Sequence, residues 1–177
     1  MTVEPRAQAQ EGQGSAAISS EAFRSIFRRH PAGVAVVALR DGDRPVGFTA
    51  TSVVSVSAQP ALLTFSVAGT SSSWPALSRA DTLTISFLGA AQVDLSARFA
   101  TRDVDRFAGV DWRWLPTGEP VLDGVPAWIR GDVVQRVALG ASHLVVVGAR
   151  ESSQDGGGAP LVYHDRAYHF LDENSAL

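Results

Sequence analysis

Cysteine is absent from the 177 residues, which excludes disulfides, thiolate catalysis and cysteine metal sites together. Lysine is absent as well, since all fifteen basic residues are arginine. A Schiff-base lysine, a P-loop lysine and a Ser-x-x-Lys site are therefore excluded. Any phosphate must be held by arginine, hydroxyls or backbone N–H groups, work that the guanidinium fork suits. No apolar run approaches the ~20 residues a membrane helix needs. The first residues, MTVEPRAQAQEGQGSAA, lack the basic-then-apolar layout of a secretory leader. A net charge of −3 gives no electrostatic case for nucleic acid or a membrane surface. The expectation is a soluble, cytoplasmic protein.

What is present is an ordinary globular composition, 45% hydrophobic and 19% charged, long enough to bury one core. Residues 1–18, rich in Gln, Ala, Gly and Ser, are expected to be a disordered tail, and 19–177 a single domain. Ser19-Ser20-Glu21 reads as an N-cap region, with Phe23, Ile26 and Phe27 at helical spacing and His30-Pro31 as the stop. Strands are expected at 33–40, 46–56, 61–67, 82–88, 126–138 and 142–150, with a closing hairpin of PLVYH and AYHFL. Ser73 is placed to cap a short helix carrying Trp74 and Pro75 in its first turn. A second helix, 91–100, takes its apolar positions from Val93, Leu95 and Phe99. Gly156-Gly157-Gly158 reads as a loop. Many strands joined by hairpins, with short helices only, argue for an antiparallel barrel over a doubly wound sheet.

The stretch GFTATSVVSVS (47–57) carries five hydroxyls on a β-branched, apolar ribbon. Read as one strand, it sets Thr49, Thr51, Val53, Ser55 and Ser57 on one face and Ala50, Ser52, Val54 and Val56 on the other. Hydroxyls then occur on both faces, which core-and-solvent alternation does not ask for. Taken singly, each is a strand Thr or Ser facing water; together they suit a flat ligand rich in carbonyls and ring nitrogens. Thr70-Ser71-Ser72-Ser73-Trp74 is a polar loop and cap, and equally an anion site. Arg98 can neutralise a helix C-terminus or meet a ligand phosphate, with Phe99 packing beside it. His143 begins a strand next to Gly140-Ala141-Ser142, where a ligand can approach the backbone. His164 and His169 read as exposed edge residues. Metal-ligand spacing, Gly-x-Ser-x-Gly and a Gly-x-Gly-x-x-Gly turn are all missing.

Taken in order across about residues 20–171, these segments resemble the short-chain flavin reductase family, the small partners of two-component flavin-dependent monooxygenases. FRSIFRRHPAGVAVVAL is similar to its opening helix and first strand, and GFTATSVVSVSAQP to its flavin strand. TFSV, the Ser71–Trp74 loop, ISFLGAAQVDLSARFA and PLVY…AYHFL fall where the family has equivalents. Two positions depart: Gly140-Ala141-Ser142-His143 lacks the family's aspartate before the histidine, and Pro60-Ala61 stands for a proline pair.

The resemblance implies a mainly β, six-stranded antiparallel split β-barrel of Greek-key type, homodimeric, with flavin at the dimer interface. It implies reduction of FMN or FAD by NADH, or less often NADPH, for a partner monooxygenase. By position it lays Thr49, Ala50, Thr51 and Ser52 along the ring and ribityl chain, and Ser66 and Val67 beside the ring. Ser71, Ser72, Ser73, Gln92, Arg98 and Phe99 fall toward ribityl and phosphate, and His143 and Tyr168 where nicotinamide stacks. His143 is expected to orient nicotinamide. Two other readings keep the barrel: an oxidase or deazaflavin-dependent reductase, and a flavin-binding electron carrier.

Overall fold

A computed structural model describes residues 17–154 and 157–176. The expected tail, 1–18, therefore falls outside the described residues up to residue 16, and so does Gly156 of the expected glycine loop. The chain runs through α1 (Ser20–Arg28), β1 (Ala32–Gly33), β2 (Ala35–Asp41), β3 (Arg44–Ala50), β4 (Val54–Ala58) and β5 (Ala61–Ala68). Then come α2 (Trp74–Leu77), β6 (Thr82–Phe87), a 3₁₀ turn (Ala90–Gln92) leading into α3 (Val93–Ala100), β7 (Trp112–Trp114) and β8 (Pro120–Leu122). The long β9 (Ala127–Leu139) and β10 (Ser142–Ser153) form a hairpin, and β11 (Leu161–His164) and β12 (Ala167–Phe170) close the chain.

Seven strands form the main sheet, in the order β3-β2-β6-β9-β10-β5-β4, and every adjacent pair is antiparallel. The mainly β expectation holds, but the resemblance implied six strands. The seventh arises because the hydroxyl-rich stretch is two strands. β3 pairs with β2 at one edge and β4 with β5 at the other, and the chain crosses over at 51–53. The face assignment that assumed one unbroken strand fails with it. Ser52 makes the crossing possible: its hydroxyl accepts from Ser66 N–H at 2.9 Å and donates to Ser66 C=O at 3.2 Å. A side chain thereby satisfies backbone groups that a ladder would otherwise take.

The sheet is strongly curled. Phe48 on β3 and Phe65 on β5 lie five strand intervals apart, about 24 Å on a flat sheet at 4.7–4.9 Å per interval. Their ring centroids are 6.0 Å apart. They meet in a core with Val37, Leu39, Leu83, Ile85 and Val147, all buried. Among the described residues no ladder joins β3 to β4, so hydrogen bonds do not close the curl. A second core on the outer face gathers Val36, Ala38, Phe99, Val121, Trp128 and Leu161 under α3, β8 and β11. β2 is thus covered on both faces, which explains its unbroken apolar run.

Glycine lets α3 come close: a β-carbon on Gly47 would lie 2.7 Å from Phe99 Cε1. Helix α1 differs. Ser19 caps it by accepting from Ala22 N–H at 3.1 Å, yet none of its residues is buried. No helix of the described residues is long and apolar enough to cross a membrane.

Candidate functional site

Three cavities follow one another along the molecule, joined by the residues they share. The inner one, about 750 Å³, lies between α1 and the crossing segment, with Phe27, Pro31, Thr51, Ser52, Ser66 and Tyr163 among its walls. The middle cleft, about 260 Å³, continues from Ser66 past Val67, Thr49 and Ser71 to Arg102. An outer groove of about 630 Å³ shares Ser72 and Arg106 with the middle cleft and runs on to Phe107 and Trp112. Seven of the residues expected at a flavin site, Thr49, Thr51, Ser52, Ser66, Val67, Ser71 and Ser72, line the inner or middle part. Phe99 lines the middle cleft too, from a fully buried position edge-on to Phe107 at 4.9 Å.

The other expected residues are held elsewhere. Ala50 packs in the inner core. Ser73, expected as a helix cap, makes no capping bond; its hydroxyl lies 3.4 Å from Gly47 C=O and accepts from Arg106 Nη1 at 3.0 Å. Gln92 has both amide atoms engaged: Oε1 accepts from Gly89 N–H at 2.7 Å, and Nε2 donates to Gly124 C=O at 2.9 Å. Arg98 donates through Nε to Arg106 C=O and through Nη2 to Asp105 C=O, at 3.0 and 2.9 Å. It braces the loop after α3.

That loop brings two arginines the sequence reading passed over. Arg106 donates to Thr101 C=O (2.9 Å), Gly47 C=O (2.7 Å), Ser73 Oγ (3.0 Å) and Ser72 Oγ (3.3 Å). Those bonds use four of its five N–H donors, and none goes to a carboxylate. Burial lowers its pKa first and the neighbouring Arg102 cation next, with Asp103 pulling the other way. Arg102 itself is exposed and, among the described residues, enters no side-chain hydrogen bond or ion pair. Two close guanidiniums, one without a partner, beside the Ser71 and Ser72 hydroxyls form a donor set suited to a phosphate. The signal was available: Arg102 and Arg106 are four apart just past a helix in a chain that has no lysine.

Two expected residues stand next to the cleft instead of in it. His143 pairs directly with Val67 across β5 and β10, and its ring stacks on Trp74 at 3.6 Å between centroids and 9° between planes. Directly opposed residues share a face, so His143 lies on the side of Val67 and Ser66 on the other. Tyr168 bonds through its hydroxyl to Ser96 Oγ at 2.9 Å, and Ser96 C=O accepts from Thr49 Oγ1 at 2.7 Å. These contacts tie β12, α3 and β3 together behind the middle cleft. His164 and His169 face each other at 5.7 Å across the last hairpin. Among the described residues no group of three or more His, Asp or Glu could hold a metal.

Comparison with known proteins points one way. A family model described as a flavin reductase like domain matches residues 27–172. An NADH:FMN oxidoreductase of Rhodococcus erythropolis is 45% identical over 161 residues, covering 88% of this chain and 83% of that protein. The reductase subunit HsaB of a flavin-dependent monooxygenase from Mycobacterium tuberculosis is 37% identical over 138 residues, 78% of this chain and 73% of its own. A solved flavin reductase domain protein from Arthrobacter sp. FB24 gives a TM-score of 0.83 at 39% identity, over 87% of this chain and 96% of that one.

Proposed function

The chain belongs to the flavin reductase like family, and from that premise we propose that it is an NAD(P)H-dependent flavin reductase. It reduces FMN or FAD and supplies the reduced flavin to a separate monooxygenase. One observation carries this reading: two adjoining cavities that share Ser66 set the small polar wall of Thr51 and Ser52 beside a cleft lined by Ser71, Ser72 and the unpartnered Arg102. The chemistry suits a flat heterocycle at the first and a phosphate at the second. We read residues 19–177 as one such domain, and its curled sheet as the family's split barrel.

A bound flavin supplies the acceptor for a hydride from nicotinamide. The chain supplies position and charge. Ser52 holds the crossing segment against β5, so that its backbone presents a fixed edge to the ring. The Thr51 hydroxyl is exposed and, among the described residues, has no partner, which leaves it available to a ring carbonyl. Arg106 is anchored by the loop and the serines, and keeps one donor and its charge beside Ser72. Arg102 adds an exposed cation. His143, steadied by Trp74, is assigned to orient nicotinamide from the Val67 side.

The inner cavity is bounded by α1, whose Phe23, Ile26 and Phe27 are 50%, 61% and 57% exposed. Val54 and Val56 on the edge strand β4 are 56% and 58% exposed. A second copy of the chain covering these residues completes the wall, which supports the homodimer. Light scattering at twice the chain mass is the expected result.

A steady-state assay that crosses NADH and NADPH with riboflavin, FMN and FAD tests the activity. Flavin-dependent loss of nicotinamide absorbance is expected. No turnover with any pair overturns the reading.

A further inference from the structure

The phosphate end of the cleft is not its end. Ser72 and Arg106 line both the middle cleft and the outer groove, so a phosphate held there stands at the threshold of a further 630 Å³. That volume lies in the range of small-ligand sites, roughly 300–1,000 Å³, and flavin mononucleotide has nothing left to put in it.

The walls are of three kinds. Trp112, Phe107, Pro45 and Val46 form an apolar side. Trp112 is half-buried and held edge-on between Phe107 (5.2 Å) and Trp114 (5.0 Å), so its ring plane is set before any ligand arrives. Arg44 and Arg106 bring cations, and Arg44 enters no side-chain hydrogen bond or ion pair among the described residues. Asp103 and Asp105 bring carboxylates. Asp105 Oδ1 accepts from Phe107 N–H at 3.0 Å, and its second oxygen is open. A purine, a second phosphate linked to the first, and ribose hydroxyls answer to these walls in turn. The two carboxylates can accept from ribose hydroxyls and an exocyclic amine.

We propose that the outer groove is an adenylate subsite, so that the chain binds flavin adenine dinucleotide along the whole cleft in preference to the mononucleotide. The proposal rests on the flavin reading above and names the flavin. The adenine stacks on Trp112, the distal phosphate meets Arg44, and the ribose faces Asp103 and Asp105.

Titration of the full-length apoprotein with riboflavin, FMN and FAD, followed by quenching of flavin fluorescence, tests it. FAD is expected to bind about tenfold tighter than FMN, the worth of one aromatic stack. Trp112→Ala should bring FAD to the FMN level while FMN is unchanged. Ala108→Trp, at an exposed residue lining the groove, should do the same by filling it without removing any core contact. Equal affinity for FAD and FMN in the unaltered protein overturns the subsite, as does equal loss of both flavins in Ala108→Trp. If FAD binding survives Ala108→Trp but the KM for NADH rises with saturating FMN, the groove serves the nicotinamide dinucleotide instead, and the proposal fails. If no flavin binds the unaltered protein, the reductase reading has failed first.

Discussion

Helix α1 spans 9 residues and buries none of them, whereas α3, at 8 residues, fully buries Ser96 and Phe99. Both are amphipathic, and both follow a plain apolar spacing in the sequence. The apolar side of α3 meets Gly47 and Phe107 from its own chain. That of α1 carries a tilted ring pair, Phe23 and Phe27 at 4.6 Å, that no element among the described residues buries. An amphipathic pattern tells that a face must be covered and is silent on by what. Here one helix is fastened behind the middle cleft, and the other leaves its apolar side exposed at the inner cavity.

The contrast can be broken most forcefully at Phe99. Phe99→Ala should destabilise the fold by about 3–5 kcal/mol, read as a lower midpoint in urea; a loss under 1 kcal/mol would mean that α3 is no better anchored than α1. Gly47→Ala probes the same joint from the sheet side. Its β-carbon collides with the Phe99 ring, and a cost of about 1–3 kcal/mol is expected for such overpacking. Ser96→Ala removes the hydroxyl that meets Tyr168 and should cost about 1 kcal/mol, with the tyrosine fluorescence altered by its freed hydroxyl. Phe27→Ala, on the exposed helix, should change chain stability by no more than about 0.5 kcal/mol. Its effect should appear in light scattering, as a shift from dimer toward monomer. A large stability loss with no change in mass would sink the sharing of labour between the two helices.

How far the sequence could be read follows the same division. The apolar run of β2 declares itself, because a strand covered on both faces has little room for polar residues, and β5 and β6 show the apolar–polar alternation of strands, as in Leu83-Thr84-Ile85-Ser86. The segment 46–56 misleads because its valines, phenylalanine and threonines favour strands. Nothing in its composition says that the Ser52 hydroxyl will stand in for a ladder and let the chain change edges. Most of the hydroxyl-bearing wall was legible, since Thr51, Ser52, Ser66, Ser71 and Ser72 line the cleft. The arginines of the middle cleft were not. Arg98 lies on a helix with a recognisable motif and attracted the assignment, while its guanidinium reaches the carbonyls of residues 105 and 106. Arg102 and Arg106 lie in a turn-rich loop without periodicity, and only the folded path brings them to Ser72. Gln92 carried no signal that its amide would close a turn at Gly89.

Arg102 offers a finer probe of that cleft, and one that does not touch the fold. Arg102→Ala should weaken FMN about tenfold, as loss of one charge-assisted bond requires, and leave riboflavin unchanged, since riboflavin has no phosphate. Equal weakening of both ligands would remove Arg102 from the anion site.

The central claim is spatial, and a crystal structure of the protein grown with FMN tests it most directly. The account predicts a ring system against the Thr51–Ser52 crossing and Ser66, with its phosphate between Ser71, Ser72 and Arg102. Flavin bound elsewhere, or a cleft that stays closed at saturating FMN, would contradict it.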